Sequence, residues 1–262
     1  MEGFSALGRY PEPRSILRPV RPGPNLRAGL VIPALDEERA LPLVLAALPR
    51  NLFARVVVVD NGSRDRTAQV ARAAGAEVIL ESRRGYGSAC QAGVRWLLEH
   101  GDVLGDADLL AFIDADHSDD PADLARVLEP LRAGSADFVL GSRVLGAAQS
   151  GALTPQQRAG NWVACRLLRL LFGARHTDLG PMRALRVRDY KRLQMRDRGH
   201  GWTVEMQLKA AHARLRVLEI PVAYRPRIGV SKISGTWSGS LRAGAKILGW
   251  IGCWRLRLWL RP

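Results

Sequence analysis

The run Val56-Val57-Val58-Val59 constrains this chain more than any other feature, because four β-branched residues with no polar alternation leave no face for water. A parallel strand covered by helices on both sides has this composition. The run stops at Asp60-Asn61-Gly62-Ser63, a turn cluster. The same grammar recurs along the chain. Gly29-Leu30-Val31-Ile32-Pro33 reads as a buried strand ended by Pro33, and a helix follows from about Glu37 to Leu48. Asp65 to Ala74 and Glu77 to Leu80 make the next helix and strand. Gly85 to His100 is another helix, and Leu109 to Ile113 another strand, ended by Asp114-Ala115-Asp116. Such alternation predicts right-handed βαβ units and an open, mainly parallel α/β sheet flanked by helices. With 262 residues there is length for one large domain with a full core.

The net charge of +14 sits at the two ends. Met1 to Arg27 holds five Arg against Glu2 and Glu12, and Arg225 to Pro262 holds eight basic residues and no acid. Those pieces supply +3 and +8, leaving +3 for everything between. The near-balanced body argues against a basic nucleic-acid-binding α/β protein, which is the alternative of another class, and no nucleic-acid partner is expected. The basic periphery suits an anionic membrane surface or phosphate-bearing substrates. Three scattered cysteines, Cys90, Cys165 and Cys253, fit a reducing compartment and no structural zinc. The first 27 residues, with Pro11, Pro13, Pro19, Pro22 and Pro24 among arginines, read as a disordered arm without a secretory apolar region. No apolar run of about 18 residues occurs, so no membrane-spanning segment is expected.

In parallel sheets, ligands bind beyond the carboxyl ends of the strands. Here those ends carry Asp36 and Glu37, then Asp60, then Arg83 and Arg84, then Asp114 and Asp116. Residues two apart in an extended segment point the same way, so Asp114 and Asp116 form a carboxylate pair. Paired oxygen ligands suit Mg²⁺ or Mn²⁺, which complete their octahedron with substrate phosphates. A diphosphate is the natural substrate for such a pair. The first strand is followed by Pro33-Ala34-Leu35-Asp36 and lacks the Gly-rich phosphate loop expected of a nucleotidylyltransferase.

Six segments in order carry a resemblance: Ile32-Pro33-Ala34-Leu35-Asp36-Glu37, Val59 to Asp65, Arg84-Gly85-Tyr86-Gly87, Asp114-Ala115-Asp116, Gly141-Ser142-Arg143 and Gly229-Val230-Ser231-Lys232. The series resembles that of family 2 glycosyltransferases, and most closely the dolichyl- and polyprenyl-phosphate mannose and glucose synthases. The resemblance implies a GT-A fold and an inverting hexosyl transfer from a nucleotide-diphosphate sugar. It places Pro33, Leu35, Glu37 and Asp60 at the nucleoside, with Asn61, Arg84 and Ala115 beside the donor. Asp114 and Asp116 would sit at the diphosphate and its Mg²⁺ or Mn²⁺. Arg143, and Arg225 or Arg227 with Lys232, would meet phosphate oxygens, and Asp116, Glu205 and Lys232 would carry catalysis. The sequence departs from the pattern at three points: Asn61 replaces a second Asp, Leu35 an aromatic, and Ser118, counted with Asp114 and Asp116 at the metal, stands where relatives often offer a Gln or Glu ligand.

The resemblance makes the acceptor a polyprenyl phosphate met at the cytoplasmic face of a membrane by a peripheral protein. Many relatives continue into transmembrane helices, which leaves room for a membrane-protein partner. A phosphate acceptor is already an anion and needs no base; a soluble hydroxyl acceptor, the other enzymatic reading, needs a carboxylate to take its proton. Glu205 is the candidate, and it reads equally as an acid placed at a helix N-terminus. Asp178 and Arg183 read either as part of an acceptor site or as a loop salt bridge. Thr154-Pro155-Gln156-Gln157 predicts a capping box. The expected organisation is arm 1–27, catalytic domain 28–235 and an amphipathic helical segment 236–262. That last segment carries Trp237, Trp250, Trp254 and Trp259 among basic residues. It reads as an interfacial membrane helix, or as a helix packed on the sheet through Ile247, Trp250, Ile251 and Trp254.

Overall fold

The computed structural model describes residues 26–100, 104–146 and 148–229, together with Gly249 and Gly252. The basic arm through residue 25, Lys232 and nearly all of the Trp-rich segment lie outside the described residues. In chain order the regular elements are β1 (Ala28–Ala34), α1 (Leu41–Ala47), β2 (Arg55–Asp60), α2 (Thr67–Ala73), β3 (Glu77–Leu80), α3 (Tyr86–Glu99) and β4 (Leu109–Phe112). There follow α4 (Leu124–Arg132), β5 (Phe138–Ser142), α5 (Pro155–Phe172), β6 (Arg183–Arg186), α6 (Val187–Leu193), α7 (Trp202–His212) and β7 (Val217–Pro221).

The seven strands form one sheet in the order β3-β2-β1-β4-β6-β5-β7. β1 pairs in parallel with β2 and β4, with Ile32 opposite Val58 and Val31 opposite Phe112. β2 with β3, and β5 with β7, are also parallel. The reversal is β6, which runs antiparallel to both β4 and β5. The apolar runs predicted the parallel half of this sheet, whereas β6, reading Arg-Ala-Leu-Arg, gave no strand signal.

Both faces of the sheet are covered, as the unbroken apolar strands require. Along β1, Leu30 and Ile32 pack on one side with Leu41, Val44 and Leu45 of α1 and Leu124 of α4. Val31 points to the other side, among Ala89, Val94 and Leu97 of α3. Each such side chain contributes roughly 1.5–3 kcal/mol of burial. α3 lies close on the sheet because Gly93 has no side chain: a Cβ there would stand 2.5 Å from Cγ1 of Val31. At α5 the predicted capping box forms, with the Thr154 hydroxyl accepting from the Gln157 amide and the Gln157 side chain accepting from Thr154 N at 2.8 Å. Among the described residues no helix is long and apolar enough to cross a membrane, and Cys90 and Cys165 are buried free thiols.

Candidate active site

The carboxyl ends of β1, β2 and β4 open on a cleft of about 340 Å³. Pro33, Leu35 and Glu37 line it from the end of β1, Asn61 from the end of β2, and Arg84 from the turn before α3. Asp114, Ala115 and Asp116 follow β4, and Arg227 is also among the lining residues. Tyr86 and His200 line the cleft too, and the sequence gave neither a role. Tyr86 stood inside a quoted motif, but His200 carried no spacing signal.

The walls are fixed by local hydrogen bonds. Asn61 donates to the carbonyls of Glu81 at 2.8 Å and Arg83 at 2.9 Å, and its own oxygen accepts from Gly85 N at 2.7 Å. The residue that departs from the family pattern thus ties the β2 turn to the entry of α3. Gly85, at φ 141°, allows segment 197–199 to close down, because a Cβ there would lie 2.0 Å from the Arg198 carbonyl oxygen. That contact is stitched by Gly87 N to the Gly199 carbonyl and Ser88 N to the Arg198 carbonyl.

The carboxylate pair is held differently on its two members. Asp114 accepts from the Tyr86 hydroxyl at 2.9 Å. Desolvation by the surrounding protein, and then the charge of Asp116, push Asp114 up to about 6. Desolvation, then Asp114, likewise raises the Tyr86 phenol well above its ordinary value. Asp116 is 4% exposed, and its Oδ1 accepts from Ser118 N at 2.9 Å and Ser118 Oγ at 2.5 Å. Its Oδ2 is ion-paired with Nη2 of Arg227. Nearby, Asp119 is buried with no partner on either carboxylate oxygen, and burial, followed by Asp114, raises it well above the usual carboxylate range. Among the described residues no group of three or more His, Cys, Asp or Glu is arranged to hold a metal ion, so the protein offers a pair of carboxylates.

Five of the residues singled out in the sequence have defined partners in the structure. Asp60 is buried at the end of β2, where its Oδ1 accepts from Ser63 N at 2.8 Å and closes the turn. The Ser118 hydroxyl donates to Asp116 and so stands beside the carboxylate pair. Arg143 forms a bidentate pair with Asp178, at 2.8 and 2.7 Å, and lies over the Tyr224 ring. Arg225 pairs with Asp120 at 2.6 Å. Glu205 is fully buried: Arg196 N and Asp197 N donate to its carboxylate, and Lys209 Nζ is 2.7 Å away. A carboxylate so saturated has no face toward a substrate. Asp178 pairs with Arg143, and the described residues show no ion pair between Asp178 and Arg183. Arg183 is buried and donates to the carbonyls of Pro181 and Thr203.

A second cavity, about 680 Å³, lies between α5 and the turn after β5. Arg143, Val144, Arg158, Trp162, Arg166, Arg169 and His176 line it, and no acidic side chain does. His176 is 8% exposed with neither ring nitrogen partnered, and burial, helped by Arg183, lowers it to about 4.

Comparison with known proteins gives the following. Residues 30–194 match the model of Glycosyl transferase family 2. An uncharacterized glycosyltransferase of Mycobacterium tuberculosis is 40% identical over 216 residues, 82% of this chain and 93% of the relative. An undecaprenyl-phosphate mannosyltransferase of Micrococcus luteus is 31% identical over 225 residues, 80% of this chain and 88% of the relative. Among solved structures, glucosyl-3-phosphoglycerate synthase of Mycobacterium tuberculosis with Mn²⁺, uridine diphosphate and glucosyl-3-phosphoglycerate matches at a TM-score of 0.66. It covers 87% of this chain and 80% of that one at 21% identity, a likeness of fold.

Proposed function

The chain belongs to glycosyl transferase family 2 and has the GT-A fold, and from that premise we propose that it moves a hexose from a nucleotide-diphosphate sugar to a polyprenyl-type lipid phosphate with inversion. The observation that carries the reading is the carboxylate pair Asp114 and Asp116 at the end of β4 in one cleft with Arg227. Breaking the anomeric carbon–oxygen bond leaves positive charge on the sugar and negative charge on the departing diphosphate. The cleft supplies opposite charge for the second. Asp114 and Asp116, two hard-oxygen ligands of which Asp114 is raised first by desolvation and then by the charge of Asp116, fit Mg²⁺ or Mn²⁺. When bound, the ion would neutralise the leaving diphosphate. Tyr86 orients Asp114, Ser118 orients Asp116, and Arg227 holds a cation beside both. Lys232, outside the described residues, belongs in this reading as a second cation on the same segment.

Two observations support a phosphate acceptor over a hydroxyl. Glu205, the base that a hydroxyl would require, is buried and saturated, whereas a phosphate needs no base. The second cavity is basic and partly apolar, as a lipid phosphate demands. The name of the Micrococcus luteus relative, undecaprenyl-phosphate mannosyltransferase, points the same way. We place the protein peripherally at the cytoplasmic face of a membrane.

The test is to incubate the purified protein with a panel of nucleotide sugars and Mn²⁺, with and without a short polyprenyl phosphate. Release of one nucleoside diphosphate and formation of a glycolipid, both dependent on the lipid, are expected. Sugar transfer only to soluble hydroxyl acceptors would overturn the lipid reading.

A further inference from the structure

Helix α5 carries a face that the donor cleft does not use. Arg158, Trp162, Val163, Arg166, Arg169 and Leu170 are exposed and, at about 100° per residue, fall in one stripe roughly 140° wide. Trp162 is 64% and Leu170 69% exposed, so the stripe is apolar as well as basic. α5 contains no acidic residue, and no ion pair to Arg158, Arg166 or Arg169 occurs among the described residues. Beside it, Val144 and Leu145 in the turn after β5 are 55% and 50% exposed, and Val144 lines the same cavity as Trp162.

Charge decides what can cover this face. A second copy would bring the same three arginines, and segment 225–262 of this chain brings eight basic residues and no acid, so both are repelled. The occupant must be anionic and must also accept Trp162, Val163 and Leu170. A nucleic acid meets the first demand but offers Leu170 and Val163 no apolar layer. A bilayer containing anionic lipids meets both, with Trp and Arg at the headgroup level and the aliphatic side chains below it.

We propose that α5 and the Val144-Leu145 turn form a docking face that rests on an anionic lipid bilayer and brings the mouth of the second cavity to the lipid surface. The proposal rests on the lipid-acceptor reading for its purpose, but not for its test.

The full chain is sedimented with phosphatidylcholine vesicles, with and without phosphatidylglycerol, at rising salt. Wild type should bind the anionic vesicles and release as salt screens the arginines. The double variant Val163→Glu/Leu170→Glu changes two exposed side chains outside both cavities. It should lose vesicle affinity roughly tenfold or more while thermal midpoint and donor hydrolysis stay unchanged. In a second variant, Leu170→Trp, the added emission should shift to the blue on anionic vesicles and be quenched by brominated lipid. Wild-type affinity in the double variant, or emission of Leu170→Trp that vesicles leave unmoved, overturns the proposal. So does a wild type that binds RNA but not vesicles. Vesicle binding through α5 with no transfer to polyprenyl phosphate would refute the acceptor and leave the docking face standing; the reverse outcome would do the opposite.

Discussion

Arg227 is ion-paired with Oδ2 of Asp116, while Ser118 occupies Oδ1 of the same carboxylate. Backbone bonds reinforce the pair: Ile228 N donates to the Asp116 carbonyl at 3.0 Å, and Arg225 N to the Ser118 carbonyl at 2.9 Å. The segment bearing the cation is thereby laced to the turn bearing the anion. Arg227→Ala should lower turnover about 10²–10³-fold at saturating donor, with Arg227→Lys recovering part of it, as read by nucleoside diphosphate release. An unchanged rate in the alanine variant would exclude Arg227 from the reaction.

Asp116→Asn is expected to abolish transfer without unfolding the protein, since the amide can still accept from Ser118 but carries no charge for a cation. Calorimetry should find a folded protein, and EDTA should silence the wild type. Ser118→Ala should give an intermediate loss of about tenfold, because Asp116 keeps its charge but loses one of the two donors on Oδ1.

Glu205→Gln tests a structural role against a catalytic one. The buried ion pair with Lys209 loses one partner, which typically costs about 3–5 kcal/mol, measurable by urea denaturation. The fraction that folds should keep the wild-type pH–rate profile. Loss of its acidic limb instead would restore Glu205 as a proton acceptor.

His176 should make the protein acid-sensitive. Its folded value is lowered to about 4 against an ordinary 6.5, so between those values the unfolded chain binds the proton more readily. Stability is therefore full above about 6.5 and falls as pH drops toward 4, by an amount on the order of 3 kcal/mol. His176→Gln should flatten that slope in pH-dependent urea titrations, and an unaltered slope would assign the sensitivity elsewhere.

What could be read beforehand followed from short-range pattern. Unmixed apolar runs announced β1, β2 and β4, and the acids that end them marked where the cleft opens. The missing parts depend on distant partners. β6 begins and ends with Arg183 and Arg186, both buried because carbonyls take up their guanidinium groups, Arg186 through Ala136 and Leu131. No local pattern distinguishes such an arginine from one in a phosphate site. The pairing of Arg143 was hidden for the same reason: its partner Asp178 lies 35 positions along the chain. Tyr86 was visible in its motif, but its bond to Asp114 needed α3 to be set against β4.

The reversed strand also dictates when the sheet can be finished. β5 has only β6 and β7 as neighbours, both later in the chain, and β4 keeps one edge open until β6 arrives. A polypeptide emerging from its N-terminus can thus assemble the half built of β1 to β4 early, while β5, which leads to the second cavity, stays unpaired until at least Arg183 has been made. Fragments ending before that residue would leave one edge of β4 and both edges of β5 bare, the usual template for aggregation. Synthesis order alone makes the β1–β4 half of the sheet the older part of every folding molecule.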